Sequence, residues 1–307
     1  MNNYSPIVIF CYRRKIDKLI FSLTKNKEST QTELYIFSDG SKSEEDKKDV
    51  IEIRKDLKKI NGFKAVQIFE SDKNKGLAQS IIDGASQIIK KYNKIIVLED
   101  DLVVSPYFLN FMNNSLNIYK KKKNIWSISG YGPVINKLDN FKKDVYLTLR
   151  SSSWGWATWI DRWNKVDWNI KNFEDLKKNN EEIKKFELGG NDLFKMLELQ
   201  HYGKIDSWAI RWCYSQFIHS AFSVTPKISM VQNIGFKDNL GTHNFGKGKK
   251  WKVKLATSKI NNFEVSFDNE IANLYKNFYD INLLTRISYF LKKWVNYNFR
   301  KNLIRKF

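Results

Sequence analysis

The stretch that decides the fold is IIVLEDDLVVSP, residues 95–106, where an apolar run meets three consecutive carboxylates, Glu99, Asp100 and Asp101. The apolar run predicts a buried strand, in which Glu99 and Asp101 share one face and Asp100 the other. Adjacent carboxylates raise one another's pKa unless a cation compensates their charge. Mg²⁺ or Mn²⁺ binds one or two carboxylates together with substrate phosphates. An acidic turn that only caps the strand end is the simpler explanation, and for the triplet alone it is favoured.

The first 120 residues alternate between short apolar runs and segments with apolar residues at helical spacing. Ser43 and Asp46 form a capping pair at the start of the second helical segment. The alternation predicts an α/β fold with a mainly parallel sheet and helices on both faces. The predicted strands are residues 6–12, 33–41, 64–71 and 94–100.

Polar clusters follow each predicted strand, where ligands of such sheets bind. Because parallel strands bring their carboxyl ends to one edge, the clusters are expected to share a rim. This position favours a functional site over a capping turn. The clusters are Tyr12-Arg13-Arg14, Ser38-Asp39-Gly40, Asn74-Lys75-Gly76 and Glu99-Asp100-Asp101.

The pattern changes after about residue 125. IWSISGY (125–131) and VYLTLR (145–150) are predicted strands, and a tryptophan-dense segment, 151–163, follows them. Helices are predicted over 172–187, 190–201 and 206–222, before an extended segment and a glycine-rich basic loop, 237–250. We therefore divide the chain into a Rossmann-like half, 1–125, a second half of the same domain, 126–250, that completes a cleft, and a basic helical extension, 251–307.

The 307 residues are 42% hydrophobic, which is enough for the core of one large domain or two small ones. The net charge is +20. The basic residues are scattered, so we expect most of them on solvated helix faces and expect no nucleic-acid partner. Cys11 and Cys213 lie in apolar runs and are predicted to be buried free thiols. Neither a secretory signal nor a membrane-spanning segment is recognisable, so cytoplasmic localisation is the default expectation.

Four motifs, in their order and spacing, resemble those of nucleotide-sugar glycosyltransferases with the glycosyltransferase-A fold: PIVIFCYRR (6–14), YIFSDGS (35–41), NKGLAQSI (74–81) and IIVLEDDLVVSP. Downstream, SWGWATW (153–159), DSWAIRW (206–212) and KISMVQNIGF (227–236) with GTH (241–243) resemble a bacterial branch that acts in surface-polysaccharide synthesis. That branch is distantly similar to the Golgi N-acetylglucosaminyltransferase that starts complex N-glycans, which also carries Glu-Asp-Asp. The resemblance covers roughly residues 5–245. It implies inverting, metal-dependent sugar transfer, with a UDP-sugar as donor and a glycan as acceptor.

The resemblance also implies which residues contact the donor. The base is expected beside the ends of the first two strands, and the ribose and phosphates beside the loop that opens the third helix. The residues at these positions are Tyr12, Arg13, Asp39, Asn74, Lys75 and Gly76.

For the acidic triplet, the resemblance implies that Glu99 and Asp100 contact the ribose and donor sugar and that Asp101 binds Mn²⁺ or Mg²⁺. His243 is expected to join the metal or the diphosphate, with an ordinary loop histidine as the alternative. The glycine-rich loop around His243 is expected to close as a lid, bringing lysines to the phosphates. Those lysines, Lys247, Lys249 and Lys250, are equally consistent with a solvated loop.

Inversion needs a carboxylate that takes the proton of the acceptor hydroxyl. Asp206 is the candidate, although relatives often carry Trp-Asp where this chain has Trp208-Ala209. A helix N-cap is an equally good explanation for Asp206. Glu198 and Asp192 are the next candidates for the base.

Tryptophans can stack on the apolar faces of sugar rings. Of Trp154, Trp156 and Trp159, we expect one in the cleft and the others in the core.

The C-terminal residues 283–307 combine aromatic and aliphatic residues with lysines and arginines and contain no acid. This composition is typical of a helix at an anionic membrane surface, where it would meet a lipid-linked glycan acceptor. A terminal helix packed on the body is the alternative.

Three other functions fit parts of the sequence. A sugar-nucleotide pyrophosphorylase would share the fold but should carry a glycine-rich phosphate loop after the first strand, where this chain has CYRRKID (11–17). A nucleic-acid-binding protein would explain the charge, but no motif for one is present. An inactive protein that keeps the fold is the third alternative, because of Ala209.

Overall fold

The computed structural model describes residues 4–138, 140–237 and 249–281. The first part of the chain alternates strands and helices as predicted. Its elements are β1 (Ile7–Cys11), α1 (Asp17–Thr24), β2 (Glu33–Ser38), α2 (Glu44–Leu57), β3 (Ala65–Glu70), α3 (Leu77–Tyr92), β4 (Lys94–Glu99), β5 (Leu102–Val104) and α4 (Phe108–Ile118).

The second part is less regular. The helix predicted over 172–187 is two short helices, and three elements, β8, α5 and α10, were not predicted individually. The elements are β6 (Ile125–Ser129), β7 (Val145–Thr148), β8 (Trp156–Trp159), α5 (Ile160–Trp163), α6 (Phe173–Lys178), α7 (Asn180–Phe186), α8 (Leu193–His201), α9 (Trp208–Ile218), β9 (Phe222–Pro226), β10 (Val231–Asn233) and α10 (Asn269–Tyr279).

An eight-stranded sheet in the order β3-β2-β1-β4-β8-β6-β9-β7 forms the centre of the molecule. Strands β3, β2, β1 and β4 are parallel, which confirms the predicted α/β fold. In their register Cys11 pairs with Ser38, Ser38 with Glu70, and Phe10 with Glu99. The carboxyl ends of all four strands therefore lie level at one edge, which we call the rim.

Strand β8 runs antiparallel between β4 and β6, and it joins the two halves of the chain in one sheet. Its four residues are all buried, so the alternating pattern that identifies a half-exposed strand is missing from WATW. The proposed division at residue 125 stays a prediction. A second, two-stranded sheet pairs β5 with β10 and brings Asn233 opposite Leu102, just after the acidic triplet.

The two faces of the large sheet are covered by separate core clusters. One of them contains a group of tryptophans: the ring of Trp156 lies 5.6 Å from that of Trp163 and 4.8 Å from that of Trp208. This group packs α9 and α3 side by side, so both helices begin at the rim. Cys11 and Cys213 are buried, as predicted. No helix in the described part of the chain has the length and apolar composition needed to cross a membrane.

Arg162 illustrates how the second half supports the first. Its side chain is 2% exposed and donates to four carbonyl oxygens between the end of α4 and the start of β6. We predict that Arg162→Met lowers the free energy of unfolding by about 3 kcal/mol, because several buried carbonyls lose their donors. Urea denaturation measures the change.

Lys123→Ala is the matched control, because it removes an exposed ion pair with Asp161 (68% and 43% exposed side chains). Such pairs contribute less than about 1 kcal/mol. Equal losses in the two variants would contradict a structural role for the Arg162 hydrogen bonds.

Candidate active site

Asp100, the middle carboxylate of the triplet, is held from the end of β1. The Arg14 guanidinium donates to its Oδ1 at 2.6 Å, and the Tyr12 backbone N–H donates to its Oδ2 at 3.2 Å. Burial raises the pKa of Asp100 to about 6; Arg14 opposes the rise and Asp101 adds to it. Asp100 is therefore an ion-paired residue that links β1 to β4, whereas a direct donor contact was expected of it. That contact stays a prediction.

Glu99 has a different environment, although it is the adjacent residue. Burial raises the pKa of Glu99 well above its usual range, and the charges of Asp101 and Asp100 raise it further. Burial and mutual repulsion thus disfavour the ionised forms of Glu99 and Asp100 at the end of β4, and the charge of Arg14 favours them.

Asp101 lies where the second sheet meets the rim. Its Oδ2 accepts a hydrogen bond from the Asn233 side-chain amide at 2.8 Å, and its carbonyl accepts one from the Ile234 N–H at 2.8 Å. A Cβ atom at Gly235 would come within 2.8 Å of the Asp101 carboxylate. The chain between β10 and the glycine-rich loop therefore packs directly against Asp101, and glycine at position 235 allows this close approach.

Asp39 organises the loop that opens α3. Its carboxylate accepts hydrogen bonds from the backbone N–H groups of Gly40 (2.9 Å), Lys75 (2.9 and 3.2 Å to the two oxygens) and Gly76 (3.0 Å). The Asn74 side chain donates to the Gly40 carbonyl at 2.8 Å. Asp39, Asn74, Lys75 and Gly76 are thus brought together, as expected for a shared rim. The predicted contacts of these residues with the donor are not tested by this arrangement.

Tyr12 and Arg13 are both held by Asp46, near the start of α2. The Tyr12 hydroxyl donates to the Asp46 carboxylate at 2.6 Å, and Arg13 forms an ion pair with it. These contacts, with that of Tyr12 foremost, lower the pKa of Asp46. Ser43 is the N-cap of α2 and accepts from the Asp46 N–H at 3.3 Å, as predicted. The Asp46 side chain, however, serves the rim and does not complete a capping box.

Asp206 lies across the rim from the acidic triplet, next to the loop that Asp39 holds. A Cβ atom at Gly76 would lie 3.2 Å from Asp206 Oδ2. The side chain of Asp206 is 59% exposed, with the Arg211 guanidinium 3.4 Å away. The N-cap of α9 is Ser207, whose hydroxyl accepts from the Ile210 N–H. The capping explanation for Asp206 is therefore wrong.

The two other candidate bases have cationic partners. Asp192 forms a two-point ion pair with Arg150 at 2.6 and 3.0 Å, and both side chains are nearly buried. Glu198 pairs with Lys195 within α8. Both carboxylate oxygens of Asp192 are occupied by Arg150, which makes Asp192 a poor proton acceptor for a substrate hydroxyl.

Trp154 is the tryptophan of its segment that remains partly exposed, whereas Trp156 and Trp159 are 1% and 3% exposed. This burial pattern is the one expected. The ring of Trp154 lies 5.7 Å from that of Phe236, which follows Gly235 beside Asp101. Trp154 thus borders the acidic triplet.

Arg54 and Asn233 make contacts at the rim that were not predicted from the sequence. From α2, Arg54 donates to the carbonyls of Ser38 (3.3 Å), Asp39 (3.2 Å) and Ser71 (2.7 Å), and so ties together the ends of β2 and β3. No local signal marks Arg54, because its partners lie in two other elements. Asn233 could have been noticed inside the matched motif 227–236.

The carboxylates at the end of β4 are ligands of the kind that a divalent cation needs. Glu99 and Asp101 supply the oxygen ligands that Mg²⁺ and Mn²⁺ prefer, and a bound cation would favour the ionised forms of these neighbouring carboxylates. Within residues 4–138, 140–237 and 249–281, however, no group of three or more His, Cys, Asp and Glu side chains could hold a metal ion. His243 and most of its loop lie outside the described residues. The described ligands therefore fit an ion that is completed by substrate oxygens or by further residues.

No protein-family model and no curated protein sequence matches the chain. Among solved structures, S. aureus TarS residues 1–349 is similar at a TM-score of 0.40 and 8% identity, covering 74% of this chain and 59% of that one. TarS 1–349 in complex with UDP-GlcNAc aligns at 0.28 and 12%, covering 48% and 34%. The mannosyltransferase PcManGT from Pyrobaculum calidifontis, in complex with GDP-Man and Mn²⁺, aligns at 0.35 and 10%, covering 71% and 76%. The chain thus spans about a third to three fifths of the length of the two TarS chains.

We predict that Asp39→Asn lowers the free energy of unfolding by about 2 kcal/mol, because the backbone donors of Lys75 and Gly76 lose a charged acceptor. Asp83→Asn is the control, since it removes a carboxylate of α3 whose ion pair with Lys75 is about half exposed. Urea denaturation of both variants gives the comparison. If the two variants are equally stable, Asp39 does not hold the loop.

Proposed function

We propose that the protein is a metal-dependent glycosyltransferase that moves a sugar, with inversion, from a nucleoside diphosphate donor to a glycan acceptor. The observation that carries the proposal is the meeting of the acidic triplet, the Asp39-held loop and Asp206 at one rim of the sheet. The donor class, with UDP-sugar first, is the one that the motif resemblance implies.

The nucleotide would lie over the carboxyl ends of β1 and β2. Tyr12 and Asp39 border this position, and the Arg13 ion pair with Asp46 holds a cation there. The loop that Asp39 fixes presents Asn74 and Lys75, which would face the ribose and phosphates. Because the Asp39 contacts already hold this loop in place, binding of the nucleotide would cost little conformational entropy.

Glu99 and Asp101, together with His243, would hold Mn²⁺ or Mg²⁺. When bound, such an ion neutralises charge that develops on a leaving diphosphate. Arg14 supports this division of roles, because it pairs with Asp100, whereas burial and the neighbouring carboxylates raise the pKa of Glu99, which a nearby divalent cation would lower. The contact of Asp101 with Asn233 and Gly235 would set the direction from which the loop carrying His243 approaches.

Asp206 would take the proton from the acceptor hydroxyl as the bond to the anomeric carbon forms. Its exposure leaves it accessible to an acceptor, and the Arg211 guanidinium lies 3.4 Å from it. Asp192 would serve only as the partner of Arg150.

The cellular role in the proposal is surface-polysaccharide synthesis in a bacterium, on the cytoplasmic side of the membrane. A lipid-linked glycan would be the acceptor, and residues 283–307, which lie outside the described residues, would contact the anionic surface. The motif resemblance and the composition of that segment support this role.

The first test is a panel of nucleotide sugars with and without Mn²⁺, scored by the melting temperature. We predict that a UDP-sugar raises the melting temperature only when metal is present, because ligands that bind the folded state stabilise it. Asp101→Asn and His243→Ala should each abolish the shift, whereas Asp56→Asn, on the exposed side of α2, should keep it. If no nucleotide sugar shifts the melt with any divalent metal, the proposal is wrong.

The second test separates donor binding from proton transfer. We predict that Asp206→Asn slows sugar transfer about a hundredfold or more, while the metal-dependent shift in melting temperature persists. Asp192→Asn should instead lower stability, because it leaves the nearly buried Arg150 unpaired. Unchanged transfer by the Asp206→Asn variant would remove Asp206 from the mechanism.

A further inference from the structure

A group of tyrosines lies at the same rim, beyond the acidic triplet. Tyr131 follows the carboxyl end of β6, and Tyr146 lies near the start of β7, where it pairs with Thr225 of β9. Strands β4 and β6 are both antiparallel to β8 and therefore point the same way. Tyr131 and Tyr146 thus extend the rim away from the proposed donor position.

The hydroxyl groups of these two tyrosines are buried and make no hydrogen bond to any described residue. Their side chains are 1% and 2% exposed. The ring of Tyr146 lies 6.1 Å from that of Tyr275, which lies 4.9 Å from that of Tyr279, and burial, with smaller contributions from Tyr279 and Tyr146, raises the pKa of Tyr131. A buried hydroxyl that has lost water without gaining a partner destabilises the folded state. Two such groups together require an explanation.

Two partly exposed aromatic rings connect Tyr131 with Tyr279. The ring of Trp154 contacts that of Tyr131 at 4.6 Å and that of Trp251 at 5.7 Å, and Trp251 lies 5.7 Å from Tyr279. Trp154 and Trp251 are both accessible in part. A sugar ring offers apolar C–H faces to such rings and hydroxyls to polar groups behind them.

The charged groups of this region are paired or lie at its outer edge, so an uncharged ligand fits the region better than an anion does. Arg150 lies 4.3 Å from the Tyr279 ring centre, and its charge is satisfied by the two-point pair with Asp192. Lys250 is exposed at the outer edge, over the Trp251 ring. The interior thus offers neutral hydroxyls, which suit an uncharged sugar better than a phosphate or a carboxylate.

We propose that Tyr131, Tyr146 and Tyr279, behind Trp154 and Trp251, form a subsite for an uncharged sugar ring of the acceptor. The role as acceptor subsite rests on the proposed function, whereas the binding of a neutral saccharide does not. Entry of a ring requires the Trp251 side chain to turn away from Trp154, since these two rings contact one another at 5.7 Å. The subsite approaches Asp101 through Trp154 and Phe236, which places a bound sugar next to the proposed donor.

The test uses the full-length protein and the variants Tyr131→Phe and Tyr146→Phe. The probes are the methyl α- and β-glycosides of glucose, galactose, mannose and N-acetylglucosamine, titrated against tryptophan fluorescence. We expect at least one glycoside to bind the unaltered protein and each variant to bind it about tenfold more weakly, as for the loss of one hydrogen bond. Both variants should melt at the same temperature as the unaltered protein or higher, because no hydrogen bond within the protein is lost.

Tyr119→Phe is the matched control. Tyr119 is equally buried, but its hydroxyl donates to the Phe263 carbonyl. This variant should melt at a lower temperature and bind the glycoside with unchanged affinity. Tyr131→Phe and Tyr146→Phe should weaken glycoside binding without lowering the melting temperature, whereas Tyr119→Phe should do the reverse. This difference distinguishes a hydroxyl that binds a ligand from one that stabilises the fold.

Three outcomes would overturn the subsite: no glycoside binds, both tyrosine variants melt lower as Tyr119→Phe does, or both bind the glycoside as well as the unaltered protein. The metal-dependent UDP-sugar shift, measured on the same variants, should be unchanged. If the unaltered protein shows no such shift, the proposed transferase function is wrong. If the shift is present but no glycoside binds, only the subsite is wrong.

Discussion

Charge compensation at the end of β4 is the constraint on which the rest of the site depends. Three consecutive carboxylates at a largely buried strand end repel one another and lack the hydration that would screen them. Among the described residues, Arg14 pairs with Asp100 and the Asn233 amide donates to Asp101. These two residues follow β1 and lie in β10, so the positions of three strands are tied to the electrostatics of one triplet. In the proposed function, a divalent cation would offset the repulsion between the carboxylates.

The location of the site could be predicted from the sequence because it follows from topology. In a parallel βαβ arrangement every strand delivers its carboxyl end to the same edge. Residues as distant as Tyr12 and Asp100 therefore meet without any local signal that links them. The strand assignments and the level ends of β1 to β4 confirm this part of the prediction.

The partners of individual side chains could not be predicted in the same way. Ser43 was identified as a cap because capping is a local pattern, but the engagement of Asp46 with Tyr12 depends on how α2 packs beside β1. Asp206 was equally consistent with a cap and a base until Ser207 was found at the N-cap position. Strand β8 was missed because it is buried on both sides, so its sequence carries no period. Pairings across non-adjacent elements have no signature in a single sequence.

The cations near the rim also explain why the net charge of +20 says little about function. Arg13 is paired with Asp46, Arg14 with Asp100, and Arg150 with Asp192. Each of these three arginines thus fixes a carboxylate, so none of the three is available to a nucleic-acid backbone. The charged groups concentrate around β1 to β4, and the stretch near β6 and β7 holds tyrosine hydroxyls and indole rings. A rim with one ionic end and one neutral end suits two substrates of different polarity, a phosphorylated donor and an uncharged saccharide, better than it suits a single polyanion.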